Sequence, residues 1–223
     1  EWLNHRADPL AMIRHISRRA SQRKRRLFAV ACCRRIWHLL DDICRDAVVV
    51  AERFADGSVT VVELTAAQAS ARARAEELLA GPRGDDGAWA CNALCSSKAG
   101  AGSGDGAINA AIIVARAVRW ADPQTAGGTD QEEAERAAQC EVVRDIFGNP
   151  FRRITARAAW LSSTVTALAC QMYESRDFSP MPILADALQD TGCDNPDILD
   201  HCRDTSATHV RGCWVVDLVL GKE

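Results

Sequence analysis

Aromatic side chains are scarce in this 223-residue chain, at 5% of the total with a single tyrosine. The interior therefore has to be built mainly from Ala, Val, Leu and Ile. Long hydrophobic runs are also lacking. The longest apolar stretch, residues 107–115, is interrupted by Asn109 and closed by Arg116, far short of the ~20 residues a bilayer span needs. No membrane-crossing helix or membrane partner is expected. There is no Asn-Gly hairpin signal, no sustained alternation and no fixed-period repeat, which argues against sheet and solenoid architectures. The sequence also lacks G-x-S-x-G, G-x-x-x-x-G-K-[ST], a strand-borne G-x-G-x-x-G and H-E-x-x-H, which removes the common hydrolase, nucleotide-binding and metalloprotease signatures. Glu1 is not a methionine, which reads as a trimmed chain, and no apolar segment of a secretory signal follows it.

What is present is the balance of an ordinary globular protein, with 48% apolar and 26% charged residues. A chain of this size buries roughly 70% of the surface its unfolded form exposes, so it folds without covalent staples. Ten cysteines are spread through helical patterns, with Cys32 and Cys33 adjacent. They read as reduced, small core residues of a cytoplasmic protein rather than a disulfide framework. Cys91 and Cys95 sit one helical turn apart and are read the same way.

Helix punctuation is dense. Asp8 and Pro9 form an N-cap and N1 pair, and Ser21 caps a helix whose apolar positions are Phe28, Cys32, Ile36, Leu39, Leu40 and Ile43. A break near Asp41 and Asp42 starts a third helix, which stops at Gly57. Thr60 with Glu63, and Thr129 with Glu132, are capping boxes, and Asp105 opens a helix between them. Pro182, and Asp194 or Asn195 ahead of Pro196, begin two short helices in the last third, and the segment 213–221 favours helix over strand. The reading is an all-α, irregular bundle of about nine helices. It forms a single domain over 1–223, with a flexible Gly-rich loop near 81–106 and a weak boundary, if any, at 98–106.

Two stretches stand out chemically. Residues 1–35 carry ten basic side chains against Glu1 and Asp8, a net of +8, so the remainder carries −11 within a total of −3. Arg14, Arg18, Arg19, Arg23, Lys24, Arg25 and Arg26 form the densest part. Such a cluster suits phosphate contacts, but four of these cations fall in a helical first turn, where the macrodipole favours acids. Pairing with acids elsewhere in the chain is the preferred reading, and an acidic partner or nucleic acid is the other.

The second stretch holds Cys193, His201, Cys202, His209 and Cys213, residue types that ligate zinc. It contains no C-x2-C knuckle, the most specific part of a zinc signature. Core cysteines with two histidines near the surface are preferred to a metal set. Cys32 and Cys33 lie near Arg34, Arg35 and His38, but a catalytic cysteine also needs a base and an orienting group.

The segments RLFAVACCRRIWHLL (26–40), VVRDIFGNPFR (142–152), PILADAL (182–188) and HVRGCWVVDLVLGKE (209–223) resemble a family of uncharacterised proteins abundant in planctomycete genomes. The resemblance implies a bacterial, cytoplasmic setting and assigns no activity, cofactor or catalytic residue. The expectation is thus a non-enzymatic interaction or regulatory domain without cofactor, contacting another protein or an acidic polymer through its basic stretch. An enzyme of unrecognised type with a cleft near the Cys/His residues, or a zinc-stabilised nucleic-acid-binding module, are the competing readings.

Overall fold

A computed structural model describes residues 8–16, 20–79, 106–121 and 129–222. Among the described residues the regular structure is all helical, with no strand. Ten α-helices are seen among them: α1 Pro9–Ile16, α2 Gln22–Arg35, α3 Asp42–Ala55, α4 Val61–Leu79, α5 Gly106–Ala121, α6 Thr129–Phe147, α7 Ser163–Ser175, α8 Met181–Asp190, α9 Pro196–Arg203 and α10 Trp214–Leu220. None is long and apolar enough to cross a membrane. The Gly-rich loop, apart from Gly106, lies outside the described residues, as do Cys91, Cys95, Arg18 and Arg19. The chain divides into two compact units, 1–143 and 144–223. That division falls well after the Gly-rich stretch where a boundary was looked for, so the last turn of α6 belongs to the second unit.

The expected caps set most helix starts. Asp8 Oδ1 accepts from the N–H groups of Leu10 and Ala11 at 2.9 and 3.0 Å, Ser21 Oγ from Lys24 at 3.2 Å, and Asp41 Oδ1 from Cys44 at 2.9 Å. The Thr60–Glu63 box closes in both directions, Glu63 N–H donating to Thr60 Oγ1 at 3.3 Å and Thr60 N–H to Glu63 Oε2 at 2.7 Å. Each bond satisfies an amide that has no partner inside its own helix. One expected span is shorter than its pattern. The apolar stripe runs to Ile43, yet α2 stops at Arg35, where the Ile36 N–H turns back to Cys33 and Arg34, and a single 3-10 turn covers Trp37–Leu39. Ile43 is exposed and lies in the first turn of α3 instead.

In the first unit α2 is the central element. Every side chain from Arg26 to Cys33 is buried, and the helix packs against α3 and α5, with α4 against α3. A helix buried nearly all round leaves little surface for its charges, so they are paired at its ends. Arg34 meets the fully buried Glu52 at 2.9 Å, and Arg35 meets Glu135 through both carboxylate oxygens at 2.9 Å. Gln139 joins that network, donating to Glu135 at 3.2 Å and to the Ala111 carbonyl at 3.1 Å.

The second unit is built from α7 to α10 around Val165, Met172, Leu184, Leu188, Ile198 and Val216. Each such burial is worth roughly 1.5–3 kcal/mol. Helix α8 packs on α7 and α9, and α10 closes the ring against α7 and α9. Pro182 and Gly192 bound α8 as expected, Asn195 caps α9 through Ile198 N–H at 3.3 Å, and 214–220 is helical. Gly148 ends α6 at φ +61°, and a Cβ there would lie 3.1 Å from the Trp214 ring. Only glycine satisfies both the left-handed backbone and that approach.

Candidate metal centre

Four side chains of the second unit converge. Asp145 comes from the last turn of α6, His201 from α9, His209 from the loop after α9, and Cys213 from the residue that precedes α10. Their donor atoms all lie within 4.8 Å of one another. His209 Nδ1 is 2.8 Å and His201 Nε2 3.3 Å from Asp145 Oδ1, and His201 Nε2 is 3.2 Å from Cys213 Sγ. The other Asp145 oxygen, Oδ2, accepts from the Val210 N–H at 2.9 Å. The imidazoles stand edge to face with centroids 4.9 Å apart, and Trp214 lies 5.3 Å from His201. Gly148 therefore acts on the site at one remove, by letting Trp214 sit against the chain and beside His201.

The cluster is closed. Cys213 has no exposure, the Asp145 and His209 side chains keep 3% and 6%, and His201 is the most open at 18%. The two histidines expected near the surface are half-buried, with each ring turned toward the buried Asp145 carboxylate. Burial alone would raise the Asp145 pKa, but hydrogen bonds from His201 and His209 hold it below the ordinary value. Burial pushes the Cys213 thiol well above its usual range, assisted by the Asp145 charge, while N–H groups of Val216 and Val215 directed at the sulfur pull the other way.

Of the expected ligand set, His201, His209 and Cys213 are brought together, and Cys193 and Cys202 are not in the converging group. Both are buried in the adjoining core, and burial pushes the Cys202 thiol up to about 12. Residues 201 and 202 are about 100° apart around a helix, so they cannot both face one point. Asp145 was missed. Nothing in its local sequence marks a ligand, and it lies 64 residues from His209.

Chemically, a cysteine, a histidine and an aspartate together invite comparison with a nucleophile, base and orienting acid. That relay needs the two imidazole nitrogens to face different partners. Here a single nitrogen, His201 Nε2, faces both the thiol and the carboxylate. The arrangement points four donors at a common centre instead.

The basic stretch is partly spent inside the first unit. Arg23 pairs with Asp56 at 3.4 Å, and Arg26, buried, stacks over the Phe54 ring at 4.9 Å. Arg14 is exposed, and Lys24 and Arg25 are half-buried. Cys32 and Cys33 are buried while His38 is exposed. The Cys32 thiol is raised by burial, which is the wrong direction for a nucleophile. No protein-family model, curated protein or solved structure matches the chain.

Proposed function

We propose that the protein is a non-enzymatic helical interaction or regulatory domain working in a reducing, cytoplasmic setting. The observation that carries this reading is the closure of its densest chemistry-bearing cluster, in which the one thiol is fully buried. A reacting group has to meet its substrate, and an activated cysteine is partly exposed with a lowered pKa. The basic stretch serves first as an internal fastener of α2 to α3 through Arg23 and Arg26, and secondarily as a contact for an acidic partner or nucleic acid.

Two measurements test this. Under native conditions a small alkylating reagent should label the exposed Cys170 and leave Cys213 unmodified until the protein unfolds. Selective labelling of Cys213 ahead of Cys170 would restore the enzyme reading. If all seven basic residues contacted phosphates, log K for generic duplex DNA would fall against log salt with a slope of about −6. A clearly shallower slope is expected because Arg23 and Arg26 are engaged internally, and a slope of the full size would make polyanion binding the primary role.

A further inference from the structure

We infer that Asp145, His201, His209 and Cys213 form a structural zinc site that ties the second unit together. This goes beyond the interaction reading, which shares with it only the closure of this cluster and is tested separately, by cysteine labelling and the salt slope rather than by metal content. Zinc binds sulfur at about 2.3 Å and imidazole nitrogen or carboxylate oxygen at about 2.0–2.2 Å. The edges of such a tetrahedron are about 3.3–3.6 Å long. The 3.3 Å from His201 Nε2 to Asp145 Oδ1 is already of that size, the 3.2 Å to Cys213 Sγ and the 2.8 Å from His209 Nδ1 to Asp145 Oδ1 are shorter, and all four donors fall within 4.8 Å, so the donors would adjust around an ion.

Hydrogen bonding alone leaves this cluster unsettled. His201 Nε2 faces a thiol and a carboxylate with a single proton at most to offer, and Asp145 Oδ1 faces nitrogens of both rings. A divalent cation at the shared centre would gather these donors into one coordination shell in place of the hydrogen bonds to Asp145. The surroundings suit it: Val210 N–H occupies Asp145 Oδ2 and leaves Oδ1 to point inward.

The donor set selects the ion. Calcium and magnesium want oxygen alone. A mixed set of two imidazoles, one thiolate and one carboxylate is typical of zinc. Two histidines and a carboxylate can also hold ferrous iron, but that chemistry needs open coordination positions. Here the fourth donor is the fully buried Cys213. A closed four-donor set is the mark of a structural site, and His201, the most exposed ligand, is where the ion would enter. Binding releases the thiol proton of Cys213, so affinity should fall as the pH is lowered.

The test uses the full chain, purified under reducing conditions without chelators. Metal analysis should return one zinc per chain. After removal of zinc, cobalt(II) should bind once, with the visible bands of a tetrahedral site and a thiolate-to-cobalt charge-transfer band. Cys213→Ser should abolish the charge-transfer band, and His201→Gln should weaken binding by more than the roughly 10–100-fold that loss of an outer-sphere partner costs. Cys193→Ser and Cys202→Ser should leave the spectrum unchanged. The proposal is overturned if the unmodified protein neither retains zinc nor develops the cobalt bands. It is equally overturned if the bands survive in Cys213→Ser or vanish in Cys193→Ser alone. Because cobalt binding to the unmodified protein is scored first, a variant that fails to fold does not decide the outcome.

Discussion

The two units bury carboxylates by opposite means. In the first, Glu52 and Glu135 lie against Arg34 and Arg35, whose guanidinium groups keep their charge at any pH a protein meets. In the second, Asp145 is held by two imidazoles and a backbone amide next to a thiol, groups that change protonation and ligate soft metals. One network is a permanent charge pairing. The other, if it holds the proposed zinc, is conditional on metal. Buried acids that look alike by exposure alone thus serve different ends, and the partner decides which.

The sharpest way to break the comparison is to remove each buried acid in turn. Asp145→Ala leaves the Val210 amide and the facing nitrogen of His209 without their acceptor, and should cost the second unit about 3–5 kcal/mol. Hydrogen exchange should show protection lost across 144–223 and largely retained in α2 and α3. A chelator should reproduce the same regional pattern in the unmodified protein and have no effect on protection within the first unit. Loss of protection spread evenly over both units would mean that they do not hold separately. Glu52→Gln keeps the shape and part of the hydrogen bonding to Arg34, so its cost should be smaller, about 2–3 kcal/mol, and confined to the first unit. Denaturant midpoints read against regional exchange distinguish the two.

Gly148→Ala sharpens the second half of the comparison without touching a donor. It forces a Cβ to 3.1 Å from the Trp214 ring at a left-handed backbone position, a strain of about 1–3 kcal/mol. Trp214 neighbours His201, so the variant should also weaken cobalt binding while keeping the charge-transfer band. An unchanged affinity would show that the indole does not position His201.

Helix starts were legible in the sequence because capping is local. Asp8, Ser21, Asp41, Thr60 and Asn195 each act within three residues of themselves. The end of α2 was not, because Ile36, Leu39 and Leu40 fit the helical stripe equally well as a turn packed on the core. The site was half legible. His201, His209 and Cys213 lie within one short stretch and attract notice by type, but spacing could not exclude Cys202, which the helical rotation next to His201 turns into the core. Asp145 depends on a tertiary return of the chain that no local pattern encodes. The only feature drawing attention to its segment was the resemblance carried by VVRDIFGNPFR. Internal pairing for Arg34, Arg35 and Arg23 was foreshadowed by the charge asymmetry, since a basic end within an acidic remainder invites intramolecular partners.

Asp41 allows the smallest effect to be used as a control on the first unit. Its carboxylate both caps α3 through Cys44 N–H and pairs with Arg74. Partial burial works to raise its pKa, but the Cys44 amide and the Arg74 guanidinium outweigh that and hold it below the ordinary value. A group with a lowered folded pKa binds fewer protons when folded. Its contribution is therefore complete above the unfolded value near ~3.9 and is lost as the pH falls through the lower folded value. Asp41→Asn retains a good cap but removes the charge, so the parent should exceed it in stability at neutral pH by under about 1 kcal/mol, in keeping with a partly exposed pair. That margin should close as the solution is acidified below ~pH 4. Asp41→Ala loses cap as well as charge and should cost about 1 kcal/mol more than Asn, a further penalty with little dependence on pH. If the Asn variant instead matched the parent at every pH, the Arg74 contact would contribute nothing measurable, and the permanence of the first unit would rest on its buried pairs alone.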